Sequence, residues 1–234
     1  MGSFIDTAGA ILSLSHRRVE VSAQNVANMT TYGYKKRVSF TQFLPTGPES
    51  EVLSPQISTL PDFSPGKLVG TDNPTDLAIS GEGFFAVRST DRLLYTRQGQ
   101  FQRGVDGRLL TSQGLALQVQ GGGDLILHDG PFEVTADGVV TQQGEAVAKL
   151  AIVTFTDPKA ATDAQAGMFS VVDGAVTPLQ SPALRQGMLE ASNVSTGDEM
   201  VAIMEALRRA EAGQRLVNVY DDLMGRALTA FGQA

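Results

Sequence analysis

Thr196-Gly-Asp-Glu-Met-Val-Ala-Ile-Met-Glu-Ala-Leu-Arg-Arg-Ala-Glu-Ala-Gly-Gln-Arg-Leu-Val-Asn-Val-Tyr-Asp-Asp-Leu-Met, residues 196–224, decides how this chain is organised. Positions at alternating steps of three and four are Met200, Ile203, Leu207, Ala210, Gln214, Val217, Asp221, Met224 and Leu228. Most are apolar, which is the pattern of a heptad seam, so the segment reads as one long helix in need of a partner. Thr196 and Glu199 have the spacing of a capping box, and Asp198 and Glu199 put negative charge where the first turn's free N–H groups favour it. Glu205 with Arg209, and Glu211 with Arg215, place acid four residues before base on the outer face. Gln214 and Asp221 interrupt the seam, and mid-helix Gly213 costs roughly 1 kcal/mol relative to alanine. A helix with these flaws reads as a piece completed by neighbouring subunits.

The other end of the chain carries a lighter stripe of the same kind. Ser3 is a plausible N-cap, and Ile5, Ala8, Leu12, Ser15, Val19, Ser22 and Val26 follow at steps of three and four. The small residues Ala8, Ser15 and Ser22 permit close helix approach while burying little area. Asn28 and Gly33 supply the stop signal. Residues 1–44 carry five bases against two acids, a charge of +3, whereas residues 187–234 carry four bases against seven acids, a charge of −3. The two helical ends are therefore electrostatically complementary.

Six of the ten prolines fall in residues 45–75, which reads as an irregular extended connector, because each proline removes a donor and biases its predecessor toward extended geometry. From Asp76 to about Gln186 the apolar period becomes two, with short runs such as Phe84-Phe-Ala-Val and Leu150-Ala-Ile-Val-Thr-Phe between glycine turns. Asp-Gly pairs at 106–107, 129–130, 137–138 and 173–174 suit hairpin turns that need positive φ. Phe101 and Phe132 each precede an Asp-Gly by the same spacing, a weak internal echo.

The expected fold is α+β: long N- and C-terminal helices packing together in coiled-coil fashion, with a central all-β domain inserted between them. The expected segments are 1–44 for the first helix and a short extended piece, 45–75 for the connector, 76–186 for the β domain and 187–234 for the second helix. Segments 1–44 and 187–234 would together form a discontinuous helical core domain.

Composition narrows the functional classes. A net charge of −7 and a pI near 4.8 set aside nucleic-acid binding, which requires clustered Lys and Arg to neutralise phosphates. Without cysteine the 234-residue chain has no disulfide, thiolate metal site or Cys nucleophile. No apolar run of membrane-spanning length and no cleavable signal pattern is visible, so neither membrane insertion nor signal cleavage is expected.

No catalytic, cofactor or metal constellation stands out. Gly81-Glu-Gly-Phe-Phe lacks the third glycine and following helix of a dinucleotide loop, and reads as a tight turn entering a buried strand. His16 and His128 fit no metal-binding spacing. Asp221 and Asp222 point about 100° apart on a helix and cannot converge on one ligand. Lys35-Lys36-Arg37 reads as a solvated cluster complementing a helix C-terminus.

Four motifs then carry a resemblance. Ala23-Gln-Asn-Val-Ala-Asn-Met-Thr-Thr-Tyr-Gly-Tyr-Lys, Asn73-Pro-Thr-Asp-Leu-Ala-Ile-Ser-Gly-Glu-Gly-Phe-Phe, Tyr95-Thr-Arg-Gln-Gly-Gln-Phe and Leu189-Glu-Ala-Ser-Asn-Val with Glu199-Met are similar, in this order, to signatures of the bacterial flagellar axial proteins of rod and hook. The short β region without a long insertion looks most like the proximal rod members of that family; distal rod members are generally longer.

The resemblance implies a structural subunit without enzymatic activity or cofactor. It would pass unfolded through the flagellar type III export apparatus and stack helically with copies of itself and other rod proteins. The resulting tube would transmit torque as the basal-body rod spanning the periplasm. Ile5, Leu12, Val19 and Val26, with Asn25 and Asn28 of the first signature, and Met200, Ile203, Leu207, Val217 and Met224 of the second helix, are the expected assembly residues. Distal rod or hook subunits are the alternatives within the family. A secreted β-rich hydrolase or carbohydrate-binding module is the rival class, and it requires a concave pocket of carboxylates or aromatics in the β domain.

Overall fold

The computed structural model describes residues 2–45, 53–89, 92–165, 167–171 and 174–232. Helix α1 is Gly2–Ala27 and helix α2 is Thr196–Gly232. Between them run β1 (Arg37–Pro45), β2 (Leu53–Pro61), β3 (Leu68–Gly70), β4 (Leu77–Ile79), β5 (Phe84–Arg88), β6 (Leu93–Thr96), β7 (Phe101–Arg103), β8 (Leu109–Thr111) and β9 (Ala116–Leu117). They continue as β10 (Phe132–Val134), β11 (Val139–Gln142), β12 (Glu145–Lys149), β13 (Ile152–Phe155), β14 (Thr162–Gln165), β15 (Met168–Ser170), β16 (Val176–Pro178), β17 (Leu184–Gln186) and β18 (Met188–Glu190).

The chain divides into two compact units, and this division corrects the expected fold. One unit comprises Met1–Ala27, Arg37–Asp62 and Val194–Ala234; the other comprises Asn28–Lys36 and Phe63–Asn193. The helices therefore do not flank a single contiguous all-β insert. A β ribbon belongs to the helical unit, and a segment directly after α1 belongs to the β unit.

In the helical unit, β1 and β2 pair antiparallel over nine residue pairs, from Arg37 opposite Pro61 to Pro45 opposite Leu53. This ribbon replaces much of the irregular connector expected over 45–75; Pro48 lies outside the described residues. The prolines are tolerated because both strands are edges. Pro45, Pro55 and Pro61 occupy pairs of one parity, so a ladder bonded through the other parity loses no donor to them.

The β unit is built on a nine-stranded antiparallel sheet, with β5 buried on both faces. Alternation sends Phe85 and Val87 into a core with Leu77, Phe101, Leu109 and Leu117, while Phe84 enters a second cluster with Val153, Phe155 and Phe169. Phe84 and Phe155 stack at 4.2 Å, and Phe63 meets Phe84, Phe155 and Phe169 edge-on.

The internal echo is a repeated turn. Gly104 N–H bonds Arg108 C=O (2.8 Å) and Gly107 N–H bonds Gly104 C=O (3.0 Å); Thr135 with Val139 (2.9 Å) and Gly138 with Thr135 (3.0 Å) repeat the pattern. These turns close the β7–β8 and β10–β11 hairpins, with Gly107 at φ 80° and Gly138 at φ 83°. Asp129-Gly130 joins no such hairpin, and Asp173 lies outside the described residues.

Candidate functional site

The helices run antiparallel within their unit. Asn25, near the end of α1, meets Glu199 at the start of α2, while Ile11 and Leu12 pack against Gly213. A Cβ at Gly213 would lie 3.1 Å from Ile11 Cγ2 and 3.3 Å from Leu12 Cγ, so this glycine admits two large side chains into the seam. What reads as a flaw in the isolated helix is a packing position.

The buried face of α2 runs through Glu199, Ile203, Ala206, Ala210, Gly213, Val217, Tyr220 and Met224. It shares Ile203, Ala210, Val217 and Met224 with the expected seam, but its alternate positions fall one residue earlier. Ala206 is 1% exposed, whereas Leu207 is 49% and Met200 59% exposed. α1 keeps small residues in the seam, with Ala8, Ser15 and Ser22 buried, which favours close backbone approach, and at Gly213 the missing side chain admits Ile11 and Leu12. The polar residues Gln214 and Asp221 then lie exposed and interrupt nothing.

Of the remaining expected assembly residues, Leu12, Val19 and Val26 are half-buried on α1. Ile5 lies in α1, but its side chain is outside the described residues. Asn25 is buried and acts as a surrogate backbone for the first residue of β1. Its Oδ1 accepts from Arg37 N–H (2.8 Å), its Nδ2 donates to Arg37 C=O (2.9 Å), and Nδ2 also donates to Glu199 Oε1 (3.1 Å). The Glu199 carboxylate thus reaches α1. Asn28 lies in the β unit, in the turn after α1, where its C=O accepts from Thr31 N–H (3.1 Å) and its Oδ1 from Thr31 Oγ1 (3.3 Å).

Asn25→Ala should destabilise the helical unit by about 2–3 kcal/mol, since it strands a buried carboxylate and a backbone N–H and C=O. Urea unfolding followed by helical circular dichroism checks this. Loss below about 0.5 kcal/mol would mean that water replaces the amide without cost.

A charge junction in the β unit was missed by sequence reasoning. Glu190 is 1% exposed, and Lys35 and Arg97 are each 3% exposed. Lys35 Nζ lies 2.6 Å from Glu190 Oε1 and donates to Ser64 C=O (2.8 Å), while Arg97 Nη1 lies 3.2 Å from Glu190 Oε2. Gly66 N–H donates to Glu190 Oε1 (2.7 Å), and Gly33 N–H to the Glu190 carbonyl (2.7 Å). Arg97 also donates to the carbonyls of Ile79 and Gly81 and lies 5.2 Å over the Phe84 ring. Burial lowers the Arg97 pKa from its ordinary value, and the Glu190 charge opposes that shift.

Each of the four motifs quoted above contributes a residue here: Gly33 and Lys35, Ile79 and Gly81, Arg97, and Glu190. The reading of Lys35 as solvated is thereby corrected. The available signal was that Lys35, Arg97 and Glu190 are each the single charged residue in their motif segments, residues 23–35, 95–101 and 189–194.

The β unit also carries a cavity of about 200 Å³, lined by Leu93, Tyr95, Leu150, Ile152, Pro178 and Leu179 among others. No carboxylate lines it and Tyr95 is its one aromatic, which is not the converging acidic or aromatic surface that a hydrolase or sugar-binding module requires.

Residues 78–126 match the model of the flagellar hook protein FlgE/F/G D1 domain, and residues 185–230 that of the flagellar basal body rod FlgEFG protein C-terminal region. The chain is 29% identical over 229 residues to the flagellar basal-body rod protein FlgF of Caulobacter vibrioides, covering 93% of each. It is 30% identical to FlgF of Mesorhizobium japonicum over 203 residues, 83% of each chain. It is 28% identical to the rod protein FlgG of Bacillus subtilis, covering 88% of this chain and 90% of that one. Similarity along almost the whole length, through the very segments that meet at Glu190, shows that the chain belongs to the flagellar hook and basal-body rod protein family.

Proposed function

We propose that this chain is a structural subunit of the bacterial flagellar basal-body rod, polymerising helically through its terminal helices into a torque-transmitting shaft. The observation that carries this reading is the surface of α2. Met200, Met204, Leu207, Leu216, Val219 and Leu223 are all exposed on a 37-residue helix whose seam with α1 is already filled. Exposed apolar residues in such number on one helix mark a surface awaiting a partner. Copies of the chain and other rod proteins supply that partner. The subunit works by packing, without chemistry or cofactor, and is exported through the flagellar type III apparatus. Its short β region, without a long insertion, supports a place in the proximal part of the rod.

Labelled imaging of isolated basal bodies tests the assignment: the chain should lie in the rod, and a location in the hook or outside the flagellum overturns it. Leu207→Glu sharpens the test. Because Leu207 is about half exposed, the variant should unfold within about 0.5–1 kcal/mol of the parent, yet fail to enter basal bodies. Normal assembly of this variant would remove Leu207 from the interface.

A further inference from the structure

Two features of the helical unit are left unused by its seam, and they lie on opposite flanks of it. At roughly 100° per residue, Arg209 and Ala212 lie about 70–130° to one side of the seam positions on α2. There, with Ile11, Leu14, Ser15 and Arg18 of α1, they line a groove of about 310 Å³. Met200, Met204, Leu207 and Glu211 lie about 90–150° to the other side, and all four are exposed.

The charges of the two surfaces are complementary. Arg18 donates one hydrogen bond, to Thr41 Oγ1 (3.1 Å), and its Nε has no acceptor among the described residues. Arg209 reaches Glu205 only at 3.8 Å. Glu211, expected to pair with Arg215, has no ion-pair partner among the described residues. The groove thus offers two under-used guanidiniums on apolar walls, and the row offers three apolar side chains ending in a free carboxylate.

We propose that the row Met200, Met204, Leu207 and Glu211 of one copy seats in the groove of a second copy, with Glu211 meeting Arg18 and Arg209. This rests on the rod-subunit reading and names the contact that such a subunit uses. Apolar burial supplies affinity, and the single carboxylate between two arginines fixes register and direction. Because row and groove are different patches on opposite flanks, the contact is heterologous. Each added copy brings a fresh row or groove, and the series remains open, as a filament requires.

The chain has no cysteine, so introduced thiols report without background. Leu207→Cys and Ala212→Cys are placed together in the full chain, expressed in flagellated cells, and oxidised in isolated basal bodies. A ladder of dimers and larger species is expected, with each single variant remaining monomeric. Glu211→Arg or Arg209→Glu alone should reduce the ladder about tenfold, and the two together should restore at least half of it. The docking is overturned by a chain that is present in basal bodies but gives no ladder, by dimers from Leu207→Cys alone, which would indicate a two-fold contact, or by failure of the charge exchange to restore the ladder. Absence of the parent chain from basal bodies overturns the rod reading itself, and the docking with it.

Discussion

Glu190→Ala should lower the stability of the β unit by about 3–5 kcal/mol, because it leaves two buried cations facing each other without a carboxylate. The loss should exceed that of any surface ion pair here, such as Arg17 with Glu20, for which about 0–1 kcal/mol is the ordinary range. Lys35→Met should cost less, since Arg97 and the Gly66 N–H still hold the carboxylate. Calorimetric and urea unfolding of the full chain, with amide exchange in residues 77–190 to identify the melting unit, provides the measurement. If Glu190→Ala changes the β unit by less than about 1 kcal/mol, the junction contributes no more than a screened surface contact.

Gly33→Ala should be nearly as severe, at about 3 kcal/mol or more, from left-handed strain and overpacking together. Gly33 sits at φ 70°, and a Cβ there would collide with the Arg97 carbonyl group and the Gln98 nitrogen, all main-chain atoms that cannot rotate aside. Gly114→Ala is the control. Its φ of 80° is similar, but the space around it is open, so only about 1 kcal/mol of backbone strain is expected. Equal losses in the two variants would show that backbone conformation alone governs Gly33 and that its close approach to Arg97 is incidental.

Both residues bear on where the chain can be cut. A boundary at residue 44, where the proline-rich composition begins, would strip Gly33 and Lys35 from the β unit along with α1. The unit that holds Glu190 needs those residues, although they follow the first helix in sequence.

Local features were legible. The periodicities mark α1 and α2 as helices, the Asp-Gly turns at 107 and 138 close hairpins, and Gly81-Glu-Gly leads into a strand buried on both faces. Each of these depends on neighbours within a few residues. The features that were not legible depend on distant partners: the parity that accommodates three prolines in the ribbon, the burial of Lys35, and the turn of Glu199 toward Asn25.

The α2 seam shows the division most clearly. Apolar spacing by itself determined that residues 196–224 form an amphipathic helix, and it identified Ile203, Ala210, Val217 and Met224 on the buried face. It could not choose between Leu207 and Ala206, or between Gln214 and Gly213, because both choices keep the three-and-four rhythm, and in the first pair hydrophobicity favours the larger residue. Only the tertiary structure decided that. The small residues of α1 bring the backbones close, Ile11 and Leu12 occupy the space over Gly213, and the larger Met200 and Leu207 are turned outward, free for another chain.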